Sequence, residues 1–254
     1  MMDERERSRF LDICEAVVSR GRAEMGIGTY GEKYMHLILK TFFCEDTDWH
    51  EVGQGSFVAD AVVGNTIYEI QTAGFYPLRK KIAYYLSETK KDIVIVAPVI
   101  VKKRLIWVDP ETGEAKKPRT TAVRGAWIRV LREIYWLCDM LDFERMRIRL
   151  MVMTADEYRK LDGYGTDKKK RATKIEKVPR ELIDIIDIAS PADAAQTFLP
   201  TTLQDRFAAK DFSALTGAKR LALSSCLRSL ESLGVICRDG KEGRATVYRV
   251  VVRN

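Results

Sequence analysis

The sequence predicts an α/β fold, with a mixed central sheet flanked by helices in the first 160 or so residues and a small unit at the C-terminus. Three observations predict it. The local signals run helix, strand, strand, strand, helix, strand, which is the alternation of a sheet with helices packed on its faces. The run Asp92–Val101 is β-rich without alternation, as in a strand covered on both faces. The charge balance also changes along the chain: residues 1–162 carry 26 basic and 25 acidic side chains, residues 163–195 carry 7 and 6, and residues 196–254 carry 10 and 5. The excess positive charge therefore sits mostly in a short terminal piece, and the expected domains are 1–162, a basic loop and linker helix over 163–195, and 196–254.

The elements follow in order. A charged amphipathic helix is expected over about 4–20, with Phe10, Leu11, Cys14, Val17 and Val18 on its apolar face. Gly26-Ile-Gly28 breaks the chain. A second helix runs from about Thr29 to Phe43, with Thr29 as N-cap and Glu32 at the third helical position, a capping-box spacing. Short strands fit Trp49–Val52, Phe57–Val63 and Thr66–Thr72. A helix from about Tyr76 to Ser87 tolerates Pro77 in its first turn. Strands at Asp92–Val101 and Lys102–Val108 end at the turn Asp109–Gly113. A helix over about Ala126–Asp139 and a strand over about Arg147–Thr154 complete the first domain. Residues 163–178 read as a polar loop, and Pro179–Ile188 as a short helix.

Composition excludes several classes. With 46% hydrophobic and 31% charged residues, only 16 Gly and 7 Pro, the chain is neither collagenous, low-complexity nor wholly disordered. Its longest apolar stretch, Ile93–Val101, has nine residues where a membrane span needs about twenty. The N-terminus is charged with no apolar stretch behind it, so no secretory leader is expected. Five widely spaced Cys (14, 44, 138, 226, 237) and two His make no zinc pattern. Reduced thiols and a cytoplasmic setting are the expectation, with no membrane partner.

The hairpin around Gly64-Asn65 carries the chemistry. A two-residue loop there pairs Val63 with Thr66 and sets Asp60 opposite Glu69. Both strands are otherwise apolar on both faces, so two carboxylates in them repel and are badly solvated. A divalent cation would offset that cost; a Lys or Arg from elsewhere, or a slipped register, would also do so. Gln71 shares their face. The preceding helix adds Glu32 and His36, four apart; His36 reads first as a hydrogen-bonded core histidine and second as an auxiliary site residue, and Glu32 as a capping-box residue, a site residue or both.

These residues resemble the PD-(D/E)XK phosphodiesterases, the restriction-endonuclease-like superfamily, over about residues 26–100. The likeness rests on Glu32 in GEKYMH, Asp60 in FVAD, Glu69 in YEIQ and the αβββαβ order; Gln71 departs from the motif, standing where the family has Lys. The resemblance implies a restriction-endonuclease-like core and Mg2+-dependent hydrolysis of a nucleic-acid phosphodiester, with Mn2+ able to substitute. It implies Asp60, Glu69, the carbonyl of Ile70 and Glu32 as metal-site residues, with Gln71 orienting the attacking water by its uncharged amide. Arg79, Lys80 and Lys81, on the next helix, are expected to meet phosphates or to form a solvated face. Lys102, Lys103, Arg104, Lys116, Lys117, Arg119 and Arg124 form a second basic set, readable as phosphate-tracking, with residues 102–104 equally readable as a charged edge strand.

The C-terminal unit is expected to hold helices at about Thr202–Ala209, Asp211–Gly217 and Ala218–Leu233, then a hairpin of Val235–Arg238 and Thr246–Val252 across Asp239–Arg244. The phrase LRSLESLGVICRDG resembles the recognition helix and first wing strand of a winged helix-turn-helix domain. That implies DNA contacts by Arg220, Ser225 and Arg228, with Lys241 and Arg244 on the backbone; such domains are also used for protein contacts. Two functions stand side by side: a Mg2+-dependent DNA endonuclease, and a non-catalytic DNA-binding regulator or assembly subunit on a degenerate nuclease fold. Cutting both strands generally takes two active sites, so a homodimer stays open.

Overall fold

The computed structural model describes residues 3–25, 33–164 and 172–253. Its central sheet is built from β1 (His50–Gln54), β2 (Phe57–Val63), β3 (Thr66–Ile70), β4 (Asp92–Val108), β5 (Arg119–Ala122), β6 (Met146–Lys160) and β7 (Thr173–Ile188). The order is β1-β2-β3-β4-β6-β7, with β5 paired to the outer half of β4. Strands β1, β2 and β3 are mutually antiparallel, β3, β4 and β6 run parallel, and β7 turns back antiparallel on β6. The fold is thus α/β with a mixed central sheet.

Helices cover both faces. On one, α1 (Glu4–Met25) and α2 (Lys33–Phe43) press Phe10, Ile38, Leu39 and Phe42 onto Ile70, Val94, Val96, Met151 and Met153. On the other, α3 (Arg79–Glu88) and α4 (Ala126–Ile134) bring Ile82, Tyr85, Leu131 and Ile134 against Ile67, Ile93, Ile95, Ile148 and Leu150. Odd residues of β4 go to one cluster and even ones to the other, which is why its sequence shows no alternation. Each such Ile or Leu taken from water stabilises by about 1.5–3 kcal/mol. No helix among the described residues is long and apolar enough to cross a membrane.

The structure corrects several sequence expectations. Thr173–Ile188 is one long strand, so the linker helix expected at Pro179–Ile188 does not form. Leu182 and Ile188 are buried there against the sheet. Pro179 is tolerated because β7 is an edge strand and its ladder with β6 is irregular at Thr154/Ala155, opposite Glu181 and Pro179. The helical linker comes later, as α5 (Pro191–Phe198), with the Ser190 hydroxyl accepting the Asp193 N–H at 3.2 Å. The strands expected at 92–101 and 102–108 are one element, β4, irregular only between Ile100 and Lys102. β6 outruns its expected end, and Lys103–Glu157 and Arg104–Asp156 ion pairs join the extended parts of β4 and β6. Thr29 and Glu32, the expected cap and its partner, lie outside the described residues.

Beyond α5 the chain forms β8 (Arg206–Ala208), α6 (Ala209–Thr216), α7 (Arg220–Ser232), β9 (Ile236–Glu242) and β10 (Ala245–Val250). The helix expected at Thr202–Ala209 is instead a turn leading into β8, which completes a three-stranded sheet of order β8-β10-β9. Asp211 caps α6 by accepting the Ala208 N–H at 2.8 Å, and Gly217 ends it at φ 74°, a left-handed conformation natural to glycine. The β9–β10 turn is tighter than expected, pairing Glu242 with Ala245. Helix α7 buries two faces. Leu227 and Leu230 serve the terminal unit's own core, while fully buried Cys226 and Ser229 meet α4, where the Ser229 hydroxyl donates to the Leu131 carbonyl at 2.7 Å. One apolar cluster therefore runs from Ala59 to Tyr248.

Candidate active site

The hairpin forms in the expected register: Val63 pairs with Thr66, Val62 with Ile67, and Ala61 with Tyr68. Gly64 turns at φ 57°, where a side chain would be strained. The ladder stops at Ala61–Tyr68, so Asp60 and Glu69 are not cross-strand partners in the strict sense. Asp60 instead turns its carboxylate onto β3, where Oδ2 accepts the Ile70 N–H at 2.6 Å. His36, from α2, brings Nε2 to 3.3 Å from the same oxygen.

Glu69 is 1% exposed, on the sheet face covered by α3. Both its oxygens are engaged: Lys81 Nζ lies 2.5 Å from Oε2, and the Tyr85 hydroxyl donates to Oε1 at 3.0 Å. Lys81 and Tyr85 are four apart on α3, so one helix face delivers an ammonium and a phenol to one carboxylate. The sequence reading set Lys81 beside Arg79 and Lys80 as a phosphate contact; its resting partner is Glu69. Tyr85 was missed because it sits in an apolar stripe, although a buried tyrosine hydroxyl generally finds a partner.

The two acids are electrostatically unlike. For Asp60, burial acts upward, but the His36 hydrogen bond, the Ile70 N–H and the charges of His36 and Lys81 outweigh it and hold the carboxyl below its usual range. Glu69 is pushed up to about 7 by burial first and by the Asp60 charge second, against the pull of Lys81 and Tyr85. Tyr85 is raised by burial and by the neighbouring Glu69 carboxylate. Asp60 is thus the committed anion, and Glu69 the acid whose charge is only partly offset.

Two carboxylates that feel one another in an apolar sheet suit a hard divalent cation. Magnesium binds through one or two carboxylates, keeps several waters and takes further oxygens from a substrate phosphate. Asp60 and Glu69 have the donor chemistry for that, but they are held from opposite faces of the sheet, Asp60 by His36 of α2 and Glu69 by Lys81 and Tyr85 of α3. Among the described residues they do not extend to a set of three His, Cys, Asp or Glu able to hold a metal, and Glu32 lies outside those residues.

Other expected site residues go elsewhere. Gln71 does not aim its amide at the acid pair; Nε2 donates to the Gly74 carbonyl at 2.5 Å and shapes the loop after β3. Arg79 is held by both oxygens of Asp139 at 2.6 Å and by the Trp136 carbonyl, so it ties α3 to the end of α4 and is not free for phosphate. Lys80 is exposed on α3; Lys102, Lys116, Lys117, Arg119 and Arg124, around β5 and the outer half of β4, are also exposed, whereas Lys103 and Arg104 are engaged by Glu157 and Asp156. Arg220, Arg228, Lys241 and Arg244 are exposed on the terminal unit, and Ser225 is half-buried. They gather on α7 and the β9–β10 hairpin, away from the Asp60–Glu69 pair in sequence.

Comparison with known proteins adds kinship. A family model described as "Domain of unknown function (DUF8091)" matches residues 33–189, more than half of the chain. An "Uncharacterized protein" of Treponema pallidum (strain Nichols) is 26% identical over 226 residues, covering 89% of this chain and 88% of that one. No solved structure matches. The family's span takes in α2, both acids, Lys81 and the whole central sheet, and stops where α5 begins.

Proposed function

This chain belongs to the DUF8091 family, and from that starting point we propose, on its own side chains, that it is a Mg2+-dependent DNA endonuclease with a restriction-endonuclease-like core and a C-terminal winged helix. The observation that carries the reading is the set made by Asp60, Glu69 and Lys81: two acids from adjacent strands, one kept ionised and one pushed up to about 7, with an ammonium 2.5 Å from the second. Bound Mg2+ would supply Lewis-acid polarisation of the phosphate and a more acidic water. Asp60 and Glu69 would hold it, with the Ile70 carbonyl and Glu32 as further donors.

The chain's own residues do the rest. His36 and the Ile70 N–H fix the Asp60 carboxylate in one orientation, as second-layer hydrogen bonds do for liganding acids. Lys81 substitutes for the lysine that the E-x-K position lacks: it arrives from α3, and its charge would face the scissile phosphate once Glu69 is engaged by the ion. Gln71, turned to Gly74, shapes the loop that joins Glu69 to the helix bearing Lys81 and takes no part in orienting water. Arg220, Ser225 and Arg228, with Lys241 and Arg244, would hold the nucleic acid.

The second reading, a non-catalytic DNA-binding protein, is favoured by the full engagement of Glu69 by Lys81 and Tyr85. Cleavage of plasmid, single-stranded and branched DNA in Mg2+ or Mn2+ decides between them. The enzyme requires metal-dependent cleavage that Asp60→Ala abolishes and Lys81→Met lowers by about two orders of magnitude or more. DNA binding with no cleavage in either metal would leave the regulator.

A further inference from the structure

A recognition helix that enters a major groove needs an outward face free along its length. Helix α7 has little of one. Leu227 and Leu230 are spent on its own unit and Cys226 and Ser229 on α4, which leaves Arg220, Leu221, Ser224, Arg228 and Ser232 as the exposed stripe. That stripe does not look out onto open solvent alone. It forms one wall of a groove of about 580 Å3 whose other wall is the end of α4 and the turn after it, with Arg132, Tyr135 and Trp136. The volume lies in the range of a small-ligand site, roughly 300–1,000 Å3. It is room for one or two unpaired nucleotides, not for a duplex.

The lining has the chemistry of a base-stacking site. Trp136 lines the groove and is 38% exposed; Tyr76, outside the lining and 62% exposed, meets it edge-on with ring centroids 5.0 Å apart. Leu221, 84% exposed, adds apolar surface from the opposite wall. Arg228 lies over the Tyr135 ring at 5.9 Å and donates to its hydroxyl at 3.3 Å. The one acid among the described residues that line the groove, Glu133, is already taken by Arg132 at 2.8 Å and by the Phe75 N–H at 3.2 Å. Flat π faces set among guanidinium groups are what sequence-tolerant single-strand binding uses.

The groove is also tied to the acid pair. Glu133 holds Phe75, and Arg79 holds Asp139 and the Trp136 carbonyl, so the segment from Glu69 to Lys81 is fastened at two points, Phe75 and Arg79, to the wall that carries Trp136. A strand stacked on Trp136 and Tyr76 would be registered against Glu69 and Lys81.

We propose that this groove binds an unpaired stretch of nucleic acid, so the substrate class of the site is single-stranded or branched DNA and not plain duplex. The proposal rests on the nuclease reading for its meaning but not for its test. Binding is measured with the full chain in EDTA, by anisotropy of a labelled 20-nucleotide single strand, a splayed fork and a blunt duplex of the same sequence. The single strand and the fork are expected to bind at least tenfold more tightly than the duplex, with tryptophan fluorescence quenched. Trp136→Ala should weaken single-strand binding about tenfold and Trp136→Phe should largely restore it. Arg228→Ala should reduce the salt slope by about one contact. Equal affinity for duplex and single strand, or a Trp136→Ala protein that melts like the wild type and binds unchanged, overturns the groove. If the groove passes and no metal supports cleavage, the nuclease reading fails alone. If Asp60→Ala abolishes cleavage while Trp136→Ala binds normally, the groove fails alone.

Discussion

Glu69 concentrates the tension of the molecule in one side chain. Its ordinary value is 4.5 and the fold pushes it up to about 7, so without metal the folded chain holds this proton more tightly than the unfolded chain does. Between those two values the native state carries the extra proton, and stability falls as pH rises through the window, levelling off above about 7. The difference in unfolding free energy between wild type and Glu69→Gln, measured by urea denaturation in EDTA, should therefore drop by about 3 kcal/mol from pH 4.5 to pH 7.5. A difference that rises with pH would mean that Lys81 and Tyr85 outweigh burial and the Asp60 charge. Asp60→Asn removes one of the two upward pushes and should shrink the drop. Adding Mg2+ should flatten it if the acids bind the ion.

At the scale of single elements, α3 does two tasks with one helix. Its apolar side, with Ile82 fully buried, fixes the helix on the sheet, and its Lys81–Tyr85 edge serves Glu69. Ile82→Ala should cost about 2–5 kcal/mol by cavity formation, read as a lower urea midpoint. Gly217, the left-handed stop of α6, has open space around the place a Cβ would take, so Gly217→Ala isolates the backbone cost: about 1 kcal/mol, with no packing penalty. The turn of the β2–β3 hairpin and its three pairs up to Ala61–Tyr68 were legible, because Gly-Asn between apolar runs fixes loop length and loop length fixes register; the end of the ladder before Asp60 was not. Strand β7 was not legible. Its apolar residues are interrupted by charges and a proline, and only pairing with β6 at the sheet edge makes an extended conformation the better solution.

For the whole molecule, the apolar cluster that joins the sheet to the terminal unit is the governing fact. Unfolding should be a single transition, with tryptophan fluorescence and far-UV circular dichroism superimposing. The four Trp lie at 49, 107, 127 and 136, all in the first part of the chain, so a terminal unit that unfolds by itself would separate the two curves. The same cluster explains why α7 cannot be treated as a free recognition helix: Ser229 and Cys226 commit one of its faces to α4.

By itself the sequence determined the α/β class, the register of the hairpin, the two acids at its open end and the change of character near residue 190. These are local properties, set by hydrophobic period, turn chemistry and charge along a few residues. Only the tertiary structure decided that Lys81 and Tyr85 meet Glu69, that Gln71 and Arg79 turn away, that residues 173–188 close the sheet as an edge strand, and that α7 rests on α4. Each of these is a contact between segments distant in sequence, chosen by which polar groups could be satisfied once the apolar faces had packed, and no pattern within a single segment encodes that choice.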